Sequence, residues 1–151
     1  MTWVQDFSSP PSNWDQSSLF AGQKVLLVGA GVSVAEHQHA LEQFIQQHEP
    51  ITVATNLGGI IAEELIDAHA ACHPLRLVSG ADEYANRAKA LIAPAQLLPE
   101  AARARLTDSG LLRDLGLEAR EAGVAAVAGL ISIPAPQVLA YSLLACLSGR
   151  A

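Results

Sequence analysis

The stretch KVLLVGAGVS, Lys24 to Ser33, decides how this chain is read. Four apolar residues, Val25 to Val28, run straight into Gly29, Ala30 and Gly31, and from Ser33 onward apolar positions recur at helical spacing. A buried parallel strand looks like such a short apolar run, and glycine lets the backbone turn sharply and approach a ligand closely. The segment therefore predicts a strand, a glycine turn and a helix. Free amides at the helix start face the turn, where an anion is favoured. Ser33 and Glu36 have the spacing of a capping box.

The same alternation continues downstream. The first helix carries Val34, Leu41, Phe44 and Ile45 and is expected to end before Pro50. Ile51 to Ala54 reads as a second strand, closed by Thr55-Asn56-Leu57-Gly58-Gly59, so two consecutive strands end in glycine-bearing loops. In an open parallel sheet such carboxyl ends lie side by side, and ligands bind there. Ile60 to Ala70 reads as a helix, Leu75 to Val78 as a third strand, Ala81 to Ala90 as a helix and Leu91 to Ala93 as a fourth strand closed by Pro94. Pro99 to Arg120 is polar and arginine-rich, which suggests surface helices broken at Gly110. Val124 to Ile133 is β-like, and Gln137 to Leu147 forms a last helix with Pro136 in its first turn. Residues 1–20, with Trp3, Trp14, Phe20 and Pro10-Pro11, read as an irregular arm whose aromatic residues pack on the domain formed by residues 21–151.

Composition narrows the function classes. At 151 residues, half of them apolar and 16% charged, the chain has the size and content of one cored domain. Net charge is −6: residues 1–75 hold eight acids against the single base Lys24, and residues 76–151 hold seven acids against eight bases. No basic stripe is present for a nucleic-acid backbone. Cys72 and Cys146 fit neither a disulfide framework nor a zinc spacing, so they read as core residues and a reducing cytoplasm is the expected setting. Residues 122–149 carry no charge, but Pro134, Pro136 and Gln137 divide them into pieces too short for a membrane span. The start, MTWVQDF, has neither the basic start nor the apolar centre of a signal peptide.

The glycine turn departs from the dinucleotide fingerprint. Val34 stands where the third glycine belongs, and Thr55 and Asn56 stand where an acid would bind ribose, so a nicotinamide or flavin dinucleotide is disfavoured. A phosphate or nucleotide held by the amides around Gly31 and by the Ser33 hydroxyl is the alternative to a plain turn and helix cap. Arg76 is among the few bases able to meet a phosphate, against an ion pair with Asp82 or Glu83. His73, before Pro74, is the histidine nearest such a site. His37, His39, His48, His69 and His73 lack metal-ligand spacing, and Ser33 is not in a nucleophile elbow, so no catalytic residue, metal or cofactor is assigned.

Several segments together, LLVGAGVS, HALEQFIQQHEPITVATN, HPLRLVS, LIAP and IPAPQVLAYSLLA, resemble the C-terminal domain of two-domain proteins of surface-polysaccharide gene clusters. The N-terminal half of those proteins is an aldolase similar to HMG-CoA lyase and 4-hydroxy-2-oxovalerate aldolase. The glycine turn also resembles that of Rossmann-like transferases in which GxGxS meets a nucleotide. The likeness implies that Gly29, Ala30, Gly31 and Ser33 border phosphate and that Asn56 faces the same crevice. It carries no aldolase activity, because the metal-binding half of the family has no counterpart here. It also implies a further strand after the last helix, so the domain is expected to be incomplete at that point.

The reading is thus a three-layer Rossmann-like α/β domain with a mainly parallel sheet. It is expected to bind a phosphorylated small molecule or nucleotide, such as a nucleotide sugar, at Gly29, Ala30, Gly31, Ser33, Asn56 and Arg76. The alternatives are an assembly domain without ligand and a nucleotide-dependent transferase. An aldolase domain and a second copy of the chain, in a homodimer, are the expected protein partners.

Overall fold

The computed structural model describes residues 8–119, 123–127, 129–135 and 137–150. Strand β1, Val25–Val28, pairs in parallel with β2, Ile51–Thr55, in the register Val25 to Ile51 and Val28 to Ala54. Strands β3, Ala68–Ala70, β4, Leu91–Ala93, and β5, Leu112–Asp114, continue the sheet, all parallel, in the order β1-β2-β3-β4-β5. Every crossover steps in the same direction, and right-handed connections then place all the connecting helices on one face.

Side-chain alternation bears this out. Leu26 and Val28 of β1 and Ala54 of β2 meet Val34 of α2, Val32–Glu36, and Leu41 and Ile45 of α3, Gln38–His48. Leu91 and Ala93 of β4 meet Leu77 and Tyr84 of α4, Pro74–Arg87, and Leu106 of α5, Glu100–Asp108. The residues one step along each strand, Val25, Leu27, Val53, Ala68, Ala70, Ala90 and Ile92, turn to the opposite face. There they meet Phe20 of the short helix α1, Ser17–Phe20, and Tyr141, Ala145 and Cys146 of α6, Val138–Ser148. The result is a three-layer Rossmann-like α/β fold.

Beyond Asp114 the chain leaves this sheet and builds a second one. Strand β6, Gly116–Ala119, runs parallel to β8, Leu130–Ile133, which is antiparallel to β7, Ala125–Val127. Leu115 and Leu117 join Ile131 and Ile133 in the α6-side core, and the buried Tyr141 hydroxyl donates to the Leu115 carbonyl at 2.5 Å, at the point where one sheet passes into the other.

Several segments differ from the sequence reading. Leu75 to Val78, expected as a strand, lies inside α4. Pro74 at its first turn starts the helix, and Leu77, Ala81 and Tyr84 at helical spacing bury one face, so a 14-residue period overrides a four-residue apolar run. Ile60 to Ala70, expected as a helix, holds only a short 3₁₀ turn, Glu63–Leu65, followed by β3. The Ala-His-Ala sequence of β3 has little strand propensity of its own; pairing with β2 and β4 makes it a strand.

The described part of the arginine-rich stretch, 99–119, forms one helix, α5, and then turns at Gly110, with φ 69°, into β5 and β6. The described part of the arm, residues 8–20, is docked: Ser9 N–H donates to the Leu117 carbonyl at 2.8 Å, and Ser12 N–H to the Gly129 carbonyl at 3.0 Å. Trp14 packs edge-on against Phe20. Trp3 and Pro136 lie outside the described residues. Among the described residues no helix is long and apolar enough to cross a membrane.

Candidate functional site

The carboxyl end of β2 is shaped by Asn56, whose φ of 59° is left-handed, a conformation asparagine tolerates better than most residues. Its N–H donates to the Ala70 carbonyl at 2.8 Å, and its own carbonyl lies 3.0 Å from His69 Nδ1. The Oδ1 atom of Asn56 is buried and has no hydrogen-bond partner among the described residues. Such an atom is costly to leave unmatched.

Strand β3 leads to His73, which precedes α4 as its N-cap residue in an extended conformation without a side-chain cap. Leu77 N–H donates to the His73 carbonyl at 3.1 Å, so the amides of Leu75 and Arg76 in the first turn have no helical acceptor. Helix α6 begins the same way, with Gln137 as N-cap and no side-chain cap. The two helix starts and Asn56 border one cavity of about 420 Å³, lined by Asn56, His73, Leu75, Arg76 and Val138. Helices of 14 and 11 residues, each with its positive end at the cavity, favour an anion there.

Arg76 supplies the positive side chain. The carboxylates that could have neutralised it are engaged elsewhere: Asp82 lies 3.7 Å from Arg105, and Glu83 is paired with Arg87. Among the described residues Arg76 has no ion pair. It also lines a smaller hollow of about 260 Å³ with Leu57, Gly58, Ser79, Gly80, Glu83 and Tyr84. At Gly80 a Cβ would stand 2.9 Å from Leu57 Cδ1, so the end of the Leu57 side chain would have to shift. The buried Tyr84 hydroxyl is pushed up to about 12 chiefly by desolvation, so it is a phenol and not a phenolate at neutral pH.

The glycine turn lies on the neighbouring strand, at the end of β1. Gly31 is the N-cap residue of α2, so Ser33 stands within the first turn and not ahead of it, and the Ser33–Glu36 capping box does not form. A Cβ at Gly29 would meet nothing within 4 Å, and one at Gly31 only Ser33 Oγ at 3.9 Å. Neither glycine is required by packing within the chain. Helix α2 has five residues and stops at His37, so it aligns few peptide dipoles behind the turn.

Of the residues singled out in the sequence, Asn56, Arg76 and His73 come together in the cavity, whereas Gly29, Ala30, Gly31 and Ser33 are not among its lining residues. Arg76 comes from the first turn of α4, not from a strand. The helix of α6 is legible in the sequence, but the place of Val138 and the α6 start at this cavity is not, because only the return of the chain after the second sheet brings them over β2. Among the described residues no three His, Cys, Asp or Glu side chains gather as a metal site. Burial raises the thiols of Cys72 to about 12 and Cys146 to about 11, which leaves them protonated and poorly nucleophilic at neutral pH. Comparison with protein-family models, with curated proteins and with solved structures finds no match for the chain.

Proposed function

We propose that this domain binds a phosphorylated small molecule or a nucleotide at the carboxyl edge of β1, β2 and β3. The phosphate is held at the starts of α4 and α6 and by Arg76. The observation that carries this reading is the convergence on one cavity of an arginine without a carboxylate partner among the described residues and two long helices without side-chain caps. Half-buried Gly29 and exposed Ala30, Gly31 and Ser33, one strand away, form the outer wall of the same edge and can take the remainder of a larger ligand such as a nucleotide sugar. Association with an aldolase in surface-polysaccharide biosynthesis, and a transferase role, rest on the sequence resemblance.

Calorimetric titration with inorganic phosphate, nucleoside mono- and diphosphates and nucleotide sugars tests this reading. Saturable heat that Arg76→Ala weakens supports it. No heat from any of them overturns it.

A further inference from the structure

Helix α6 is buried on one side and bare on the other. Tyr141, Ala145 and Cys146 face the core, while Leu139, Leu143 and Leu147 are 58%, 48% and 60% exposed. These leucines stand at i, i+4 and i+8 and form one ridge along the helix. Strand β7 packs beside α6 and is an edge of the small sheet, with Val124 just before it and Val127 at its end both exposed. Three leucines in one ridge form an apolar stripe of the kind that marks an interaction surface, unlike scattered exposed leucines.

The charge pattern selects the occupant. From Gly123 to Gly149 there is no Asp, Glu, Lys or Arg. A charged partner would find no pairing group within this segment, and charges set against its leucines would be desolvated without compensation. An anionic membrane surface is also a poor match, because interfacial helices flank their apolar face with Lys or Arg and the whole chain carries −6. The remaining match is a surface equally apolar and uncharged, and a second copy presents one. The ridge is also self-complementary: it is symmetric about Leu143, so two antiparallel copies set Leu143 against Leu143 and Leu139 against Leu147. Packing of i±4 ridges is the commonest way for two helices to cross.

We propose that the exposed α6 ridge is a two-fold interface between two copies of this chain, with Leu143 at the axis. Interfaces at the low end of the specific range bury about 1,000 Å² in total, and a dimer held by one such ridge forms and dissociates with concentration. The cavity at the start of α6 borders this interface, because Val138 precedes Leu139.

Light scattering coupled to size exclusion, over a concentration series of the whole chain, reads the interface directly. The mass is expected to rise from 15.8 kDa toward twice that value. Leu143→Glu is expected to hold it at the monomer value with an unchanged circular-dichroism spectrum, and Val78→Glu, on exposed α4, to dimerise as the parent does. As a check that does not rely on a disruptive charge, Leu143→Cys is expected to cross-link between copies under mild oxidation, since the axis brings the two β-carbons within disulfide reach. Buried Cys72 and Cys146 are expected to remain free. A monomer at every concentration, a dimer untouched by Leu143→Glu, or no cross-link from a chain that still dimerises would each overturn the proposal. So would a monomer that sediments with phosphatidylcholine vesicles, which would make the face a lipid surface.

Discussion

His69 Nδ1 lies 3.0 Å from the carbonyl oxygen of Asn56, tying the middle of β3 to the residue that turns the chain at the end of β2. A carbonyl only accepts, so Nδ1 carries a proton and donates. The other ring nitrogen lies 2.7 Å from Glu63 Oε1, and Glu63 in turn lies 3.2 Å from Arg87, which also pairs with Glu83. The ring is 2% exposed and edge-on to Tyr84. This chain of contacts links the 3₁₀ turn, β3 and α4 behind the cavity, and fixes Asn56 from the side away from solvent. His69→Leu is therefore expected to lower stability by about 1–3 kcal/mol, the cost of leaving a buried acceptor unmatched. Urea unfolding measures it, and a change of less than about 0.5 kcal/mol would show that water replaces the ring freely.

At the mouth of the cavity the expected effects are on affinity and not on stability. Arg76 is exposed and, among the described residues, has no ion pair, so Arg76→Ala is expected to leave the melting temperature nearly unchanged. It should weaken phosphate-ligand binding about ten- to a hundredfold, the worth of a charge-assisted hydrogen bond, and flatten its salt dependence. Unchanged affinity would remove Arg76 from the site.

Gly31→Val probes the glycine turn separately. The residue has φ −79° and a Cβ there would meet only Ser33 Oγ at 3.9 Å, so the substitution is expected to be tolerated in the fold. A ligand whose far part rests on the turn should bind less tightly, whereas inorganic phosphate at Arg76 should bind as before. Equal loss for both in the same titrations would place the phosphate itself at Gly31.

Docking of the N-terminal arm on the second sheet hinges on Gly129, which has φ 72° and whose missing Cβ leaves room for the Ser12 backbone. Gly129→Ala combines left-handed strain with a collision against the Ser12 carbonyl, and a loss of about 2 kcal/mol or more is expected. Proteolysis should then cut the arm near Ser12 before the rest of the chain. Resistance equal to that of the parent would mean that the contact relaxes at no cost.

Alkaline pH should destabilise the domain. Cys72 and Cys146 are held protonated by burial, raised from 9.0 to about 12 and about 11, and Tyr84 is raised from 10.0 to about 12. Above pH 9 the unfolded chain releases protons that the folded chain keeps, so unfolding is favoured as pH rises. Each such group contributes up to about 1.4 kcal/mol per pH unit within its window. Thermal melts between pH 8 and 11 should show a falling midpoint that begins near pH 9. Replacing Cys72 with Ala should make the decline shallower, and a flat profile in the parent would mean that the thiols ionise in place.

The sequence by itself determined the elements whose periodicity is local. Val25–Val28 before the glycine turn, Leu91–Ala93 before Pro94, and the apolar helix after Gln137 lie where the pattern puts them, because strand, turn and cap residues act within a few positions of themselves. Leu75 to Val78 and Ala68–Ala70 were decided by tertiary structure. A four-residue apolar run fits either a strand or one side of a helix, and an Ala-His-Ala strand exists only because β2 and β4 pair with it from both sides. The candidate site divides in the same way. Asn56 and Arg76 were legible as a turn amide and an isolated base. Their meeting with the start of α6 depends on a chain that leaves one sheet, builds another and returns across β1 and β2, and no local pattern of residues specifies that path.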